Sequence, residues 1–299
     1  MPKVYIIILN WNNWPDLEEC LASLKNNDYP NYEVVIVDND SKEKLQVSEG
    51  LKVIYNNENL GFVGGNNIGI KYALKNNADY ILLLNDDTIV DKQFLSKMIE
   101  TGESDDKIGM VGAKIYSYQD KNKLWFAGGE INWLYNKGIM RGYNQIDKGQ
   151  YNNLEETDYL TGCCLLVKKE VIQKIGGLSE DYFAYYEDTD WSLAAQKAGF
   201  KTVFVPEAKI WHKGSKSFIQ ESPQYIYYNI RNGLIFAQKW APWYLKLIIH
   251  SHALLRIIKQ IFKLLIPSQR VWAKYILIAI KDFYLGRRGK YENKNENWD

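Results

Sequence analysis

The chain has 299 residues, 46% of them hydrophobic and 24% charged, with a net charge of +1. That length suits one large α/β domain or one domain with a small appendage, and the composition excludes a disordered chain. The near-neutral charge gives no basis for a nucleic-acid partner. The three cysteines, Cys20, Cys163 and Cys164, have neither disulfide-framework nor zinc-site spacing, so reduced thiols of a cytoplasmic protein are expected.

Met1 to Asn10 runs straight into an apolar segment with no basic n-region or cleavage site, so no signal peptide is expected. No uncharged apolar run reaches the roughly 18 residues that span a bilayer. Val4–Leu9 predicts a buried parallel strand, and Asn10–Asn13 a polar loop. Pro15 to Asn26 predicts a helix, with Leu17, Cys20, Leu21 and Leu24 at helical spacing. Glu33–Val37 is a second strand, ending in Asp38-Asn39-Asp40-Ser41, and Lys52–Tyr55 a third. A Gly61–Gly65 loop leads into a helix over Asn66–Lys75, and Tyr80–Leu84 is a fourth strand ending in Asn85-Asp86-Asp87. Lys114 to Asp158, rich in Tyr, Trp, Asn and Gly, predicts short strands and long loops. Leu160–Val167 reads as a strand, Lys169–Ile175 as a short helix, Asp188–Ala198 as a helix stopped by Gly199, and Thr202–Val205 as a strand. Strands alternating with helices predict an α/β fold with a mostly parallel central sheet.

In such sheets ligands bind beyond the carboxyl ends of the strands. Three strand ends carry polar clusters: Asn10–Asn13, Asp38–Ser41 and Asn85–Thr88. One would be routine loop chemistry; three on one edge suggest a site. Asp86 and Asp87 repel each other unless a cation sits beside them, and Mg²⁺ or Mn²⁺ shared with phosphate oxygens fits that pair. Helix capping by Asp87 is the plain alternative. Glu187-Asp188-Thr189-Asp190 follows the aromatic run Tyr182 to Tyr186. Carboxylates at a helix start gain from the helix dipole, but a carboxylate among rings that exclude water is also how a general base is built. His212 ends a strand, and its imidazole is either structural or a second ligand to a metal on Asp87. The glycines at 61, 64, 65 and 69 let backbone N–H groups approach phosphate or ribose, but they do not form the dinucleotide-binding pattern.

Together these elements, in order over residues 3 to 235, resemble family 2 of the glycosyltransferases, the inverting family with the GT-A fold, and its rhamnosyltransferase-like, non-processive members most. Leu9-Asn10-Trp11-Asn12 is similar to the family's opening strand and donor-base loop, and Val37 to Ser41 to its V-D-N-x-S segment. Asn59 to Gly69 is similar to N-x-G-F-x-x-x-N-x-G, and Asn85-Asp86-Asp87 sits at the D-x-D position with two carboxylates. Thr161-Gly162-Cys163-Cys164 is similar to the T-G-x-x segment, and Gly176 to Asp190 to a block ending in E-D-x-D. His212, Gly214 and Ser217 are similar to H-x-x-G-x-S, and Tyr227 to Asn232 to Y-Y-x-x-R-N.

The resemblance implies donor contacts from Asn10, Trp11, Asp38, Asn39, Asn59, Gly61, Asn66, Asp86 and, at the diphosphate, Arg231. It implies a divalent metal on Asp87 with His212, an acceptor side at Gly162, Cys163, Tyr186 and Glu187, and Asp188 as catalytic base. The donor would be a UDP- or dTDP-sugar, rhamnose being a candidate sugar, and the acceptor a hydroxyl of a surface glycan or lipid-linked glycan. The Q-x-x-R-W motif of processive synthases is absent. A nucleotidyltransferase would need a glycine- and lysine-rich loop where Asn10-Trp11-Asn12-Asn13 stands, and a non-catalytic carbohydrate-binding relative would not need Asp87, Asp188 and His212.

The character changes after residue 239, giving an expected GT-A catalytic domain over 1–239 and a helical segment over 240–299. On a helix over Trp240–Ile266, Lys246, His252, Arg256, Lys259, Gln260 and Lys263 share one stripe and the other face is apolar. Gln269 to Leu285 repeats the design. Such a pair either packs on the catalytic domain or across a homodimer, or lies on the inner face of an anionic cell membrane.

Overall fold

In a computed structural model of the chain, which describes residues 1–43, 50–214 and 222–291, the run of seven residues VYIIILN forms β1 (Val4–Asn10) at the centre of the sheet. Its side chains are buried on both faces, which is why this strand reads as a continuous apolar run and not an alternating one. Helix α1 (Trp14–Leu24) begins with Pro15 in its first turn and buries Leu17, Cys20, Leu21 and Leu24. β2 (Tyr32–Asp38) and β3 (Lys52–Tyr55) extend the sheet to one edge, and β4 (Tyr80–Asn85) flanks β1 on the other side. All three of these pairings are parallel.

Between β3 and β4 lies α2 (Gly61–Lys75), and here the sequence expectation is corrected. Gly61–Gly65 is not a loop but the first turn and a half of the helix. The glycines serve packing: a Cβ on Gly65 would collide with Leu9, and one on Gly69 with Ile7, both on β1. Replacing Gly69 by Ala therefore sets a gain of about 0.5–1 kcal/mol in helix propensity against about 1–3 kcal/mol of overpacking. Gly69→Ala is expected to destabilise the fold on balance, measured by urea unfolding; a more stable variant would show that α2 does not need its close seat on β1.

β5 (Thr88–Val90), α3 (Phe94–Ser104), β6 (Ile108–Ser117), β7 (Leu124–Phe126), β8 (Gly129–Asn132), β9 (Lys137–Met140) and β10 (Glu155–Glu156) follow. β6 is ten residues long and starts before the stretch expected to be short strands; β8 and β9 make the short hairpin that was expected. β11 (Cys164–Lys168) leads into α4 (Lys169–Ile175), α5 (Glu187–Lys197) and β12 (Lys201–His212). β12 is three times the expected length, bulged between Val205 and Lys209. The main sheet runs β10-β12-β6-β11-β4-β1-β2-β3. β11 pairs antiparallel with both β4 and β6, and the short β5, β7 and β10 are also antiparallel to their neighbours, whereas β3, β2, β1, β4, β6 and β12 share one direction. The carboxyl ends of β1, β2, β4 and β12 therefore lie at one edge.

The chain then forms α6 (Pro223–Trp240), capped by Ser222, whose hydroxyl oxygen accepts from the Tyr225 N–H at 3.1 Å. α7 (Trp243–Lys263) and α8 (Arg270–Tyr284) follow. α8 packs along α6, where Tyr227 donates to Asp282 at 2.9 Å, and α7 packs on α8. α7 is turned opposite to an ordinary amphipathic surface helix. Its buried side chains are Ile249, Ala253 and Gln260, while much of the apolar face remains exposed. Ser217 and most of the polar tail lie outside the described residues.

Candidate active site

β5 pairs antiparallel with the end of β12, placing Thr88 opposite His212. That register brings the residue before Thr88 beside the imidazole: Asp87 Oδ1 and His212 Nε2 are 3.1 Å apart. Each residue is only 4% exposed. Asp87 Oδ1 and both His212 ring nitrogens nevertheless have no hydrogen-bond partner among the described residues. Two buried lone-pair donors that approach without bonding each other fit a shared divalent cation completed by phosphate oxygens. No third His, Cys, Asp or Glu joins them among the described residues. Trp125 stands edge-on to His212 with ring centroids 4.5 Å apart. The Lys213 N–H donates to the Asp87 carbonyl at 2.9 Å, and its ammonium sits 2.9 Å from Asp16 and 2.8 Å from Glu19, tying this corner to α1. Burial, then the charge of Asp87, raises the Asp86 carboxyl well above the ordinary carboxylate range.

The second corner is the start of α5. Tyr185 and Tyr186 precede it with φ of 71° and 75°. Two consecutive bulky residues in the left-handed region are sterically costly and persist only where the surroundings hold them. The holder is Asn232 on α6, fully buried, whose amide donates to the carbonyls of Ala184 at 2.8 Å and Tyr185 at 3.1 Å. Asp188 follows in the first turn of α5. Its Oδ2 accepts from the Gly162 N–H at 3.0 Å, and its Oδ1 from the Thr189 N–H at 2.6 Å. Burial raises its pKa against the opposing pull of these donors. The residue keeps part of its surface accessible, as a proton acceptor for an outside hydroxyl must. Glu187 is buried with Oε2 unpartnered among the described residues, and burial followed by the charge of Asp188 raises its carboxyl well above the usual range. Asp190 is a structural anchor: it takes Lys239 at 2.8 Å, the Trp240 indole N–H at 2.7 Å and the Tyr182 hydroxyl at 3.2 Å.

Asn232→Ala would leave two carbonyls of the strained turn without their donor, at about 1–3 kcal/mol for the unsatisfied groups. It is expected to lower turnover while nucleotide affinity holds, measured by steady-state kinetics beside a nucleotide titration. Unchanged turnover would show that the turn holds itself.

One short turn joins the two corners. The Gly162 N–H binds the carboxylate of Asp188, and the carbonyl of the next residue, Cys163, accepts from Asn85 N–H at 3.0 Å, at the head of the Asn85-Asp86-Asp87 turn. Burial and the nearby Asp87 raise the Cys163 thiol well above its ordinary value, so it serves here as a neutral, packed group. Tyr186, also expected on the acceptor side, donates to the Asn136 carbonyl at 3.2 Å and lines a cavity of about 250 Å³ together with Ile249, His252 and Arg256 of α7.

At the third corner, the ends of β1 and β2, Asp38 accepts from the Asn10 amide at 3.1 Å and from the Ser41 N–H at 2.9 Å, while Asn10 Oδ1 is buried and unpartnered among the described residues. Trp11 is partly exposed in the loop beside them. Asn39, Asn59, Gly61 and Asn66, expected at the donor, also bond to one another and to the backbone around the start of α2. Asn39 accepts from the Leu60 N–H and the Asn56 amide and donates to Asn59 and the Gly61 carbonyl. Asn59 accepts from the Gly61 N–H, and Asn66 donates to the Phe62 carbonyl of its own helix. These amides wire the start of α2 to the end of β2, so the early N–H groups of that helix already have protein acceptors.

Arg231, expected at the diphosphate, is held within the protein in this structure. Its guanidinium is fully buried, donating to Asn232 at 3.1 Å, to the Tyr227 hydroxyl at 3.0 Å and to the Gly289 carbonyl at 2.6 Å, and it lies over the rings of Tyr227 and Tyr228. A guanidinium so placed ties α6 to the segment after α8 and orients Asn232. Asn232, Lys213 and Trp125 are the site-building residues that sequence reasoning missed. Asn232 stood in a recognised motif but without a role, whereas nothing local marks Trp125.

The chain was compared with known proteins. The profile described as Glycosyl transferase family 2 matches residues 5–176. The chain is 26% identical over 249 residues to the dTDP-rhamnosyl transferase RfbF of Shigella flexneri, covering 79% of this chain and 80% of that one. It is 28% identical over 226 residues to the rhamnosyltransferase WbbL of Escherichia coli K12, covering 68% and 80%. The mannosyltransferase PcManGT of Pyrobaculum calidifontis, solved with GDP-Man and Mn²⁺, superposes with a TM-score of 0.55 at 14% identity, covering 96% of this chain and 88% of that one, and shares the fold. A match over more than half the chain, with the sheet order and strand-end acids described above, removes the nucleotidyltransferase alternative: this chain belongs to glycosyl transferase family 2 and is a glycosyltransferase of the GT-A fold that uses a nucleotide sugar.

Proposed function

We propose that the chain is an inverting, metal-dependent, non-processive glycosyltransferase that moves one sugar, of the rhamnose type, from a thymidine-diphosphate donor to a hydroxyl of a lipid-linked or surface glycan. The observation that carries this proposal is the Gly162–Cys163 turn, which binds the carboxylate of Asp188 with one residue and the Asn85-Asp86-Asp87 turn with the next. A base and a diphosphate site held by adjacent residues suit an acceptor hydroxyl entering on one side of the anomeric carbon and a leaving group departing on the other.

Asn10, Trp11 and Asp38 would take the nucleobase and Asp86 the ribose or phosphate. A divalent cation, Mg²⁺ or Mn²⁺, held by Asp87 and His212 would neutralise charge on the leaving diphosphate; the mannosyltransferase with this fold was solved with Mn²⁺. Asp188, oriented by Gly162 and Thr189, takes the proton of the acceptor hydroxyl as it attacks. The rings of Tyr182 to Tyr186 and the half-closed setting of Glu187 keep water from competing. The rhamnosyl donor is suggested by two rhamnosyltransferase relatives, one named for a dTDP donor. Residues 1–239 would be the catalytic domain and 240–299 a helical appendage near the acceptor.

The test is incubation with dTDP- and UDP-sugars, Mn²⁺ and a polyprenyl-diphosphate-linked acceptor, following nucleotide release and the anomeric configuration of the product by NMR. Release dependent on acceptor with inverted configuration is expected. Retained configuration would eliminate the single-displacement mechanism, and no turnover with any nucleotide sugar would eliminate the assignment of donor class.

A further inference from the structure

We propose that the outward face of α7 is a docking surface for an anionic phospholipid bilayer, on which the enzyme lies without crossing it. On a helix, residues about 100° apart per step divide into faces. The face opposite the buried stripe of Ile249, Ala253 and Gln260 carries Leu247, Leu254, Ile258, Ile261, Phe262 and Leu265, all exposed. Leu265 is 78% exposed and Phe262 67%. At the start of the helix Trp243 is 76% exposed and Tyr244 55%, the amphipathic rings that favour a membrane–water boundary. A contiguous apolar ridge of this length on a water-facing helix marks an interaction surface.

Charge selects the occupant. Residues 240–291 carry ten Lys or Arg and a single acid, Asp282, whose carboxylate is buried against Arg287 and Tyr227. Residues 1–239 carry 26 Lys or Arg against 32 Asp or Glu. The molecule is therefore a cationic, apolar plate on an acidic body. An anionic bilayer attracts the plate and repels the body, which fixes the orientation. A second copy seated face to face would bring together two segments of the same positive sign, an arrangement that symmetric pairing cannot avoid. Lys259 borders the ridge beside Phe262 and Lys263 lies one turn on, toward the buried stripe, their long stems placed to reach lipid phosphates while the apolar side chains enter the acyl boundary. No helix of the described residues is long and apolar enough to cross a membrane.

This proposal does not rest on the transfer reaction, because vesicle binding needs neither donor nor acceptor. The full chain is floated with vesicles of phosphatidylcholine alone and of phosphatidylcholine with phosphatidylglycerol. Binding to the phosphatidylglycerol vesicles, weak on phosphatidylcholine and falling with salt, is expected. The double variant Leu254→Glu with Ile258→Glu should lower partitioning by more than about tenfold, with an unchanged thermal unfolding midpoint. Lys259→Gln with Lys263→Gln should lower it by about fivefold per lysine. Failure to bind either vesicle, binding indifferent to these variants, or a stable dimer that the double glutamate variant dissociates would each overturn the proposal.

Discussion

Asp188→Asn is expected to lower turnover by about 10²–10⁴-fold, the range for loss of a positioned general base, while the dissociation constant of the donor nucleotide stays within about twofold, because the Asp188 carboxylate bonds to Gly162 and Thr189 and not to Asn10, Asp38 or Asp86. Asn keeps the shape, but its carbonyl can accept from only one of the Gly162 and Thr189 N–H groups, so the thermal unfolding midpoint is measured beside the kinetics. The pH profile supplies a second readout. Burial raises the Asp188 carboxyl, so its basic form is populated only above the ordinary carboxylate pKa of about 3.9. The rate should therefore rise with pH along an acidic limb displaced upward from that value and should lose this limb in Asp188→Asn. Normal turnover with weakened nucleotide binding would move Asp188 to the donor site and leave Glu187, buried and unpartnered, as the next carboxylate to test.

Asp87→Ala is expected to be the second large loss. Lewis-acid neutralisation of a leaving diphosphate is worth several kcal/mol, so turnover should fall by more than about 10²-fold, and metal should no longer tighten nucleotide binding. The geometry makes this loss specific. His212 alone offers one ring nitrogen, Nε2, on the side of Asp87, and a single neutral nitrogen does not hold a hard cation without the carboxylate. His212→Ala should be milder, because a water can replace the imidazole but not the charge. Equal effects of the two variants would imply that the pair acts as a structural hydrogen-bonding unit.

The parallel core and three of the strand-end clusters were legible because they rest on local physics: a β-branched run such as Val4–Leu9 buried on both faces, and acids concentrated where the sheet ends. Asp87 and His212 were both legible as residue types, yet their contact depends on the β5–β12 register, which no local pattern announces. The structural part played by the amides of Asn39, Asn59 and Asn66 was not legible, for a physical reason. A donor-binding amide and one that satisfies a helix start carry the same side chain, and only the fold shows that these point at Leu60, Gly61 and Phe62. The internal contacts of Arg231 were hidden in the same way, since a cation suited to phosphate also suits a buried carbonyl and two tyrosine rings. β6 went unrecognised because Gly109 and Gly112 interrupt its apolar run; there they make room for Phe200 and Leu160.

The most direct measurement is the thermal shift produced by dTDP and UDP with and without Mn²⁺, on the natural chain and on Asp87→Ala. A ligand that binds only the folded state raises the melting temperature by mass action, about 2.7 kcal/mol at a hundredfold excess over its dissociation constant. A metal-dependent shift, larger with dTDP, is expected; it should disappear in Asp87→Ala and persist in Asp188→Asn. A nucleotide shift of equal size without metal, or one that survives Asp87→Ala, would contradict the assignment of that corner as the metal and diphosphate site.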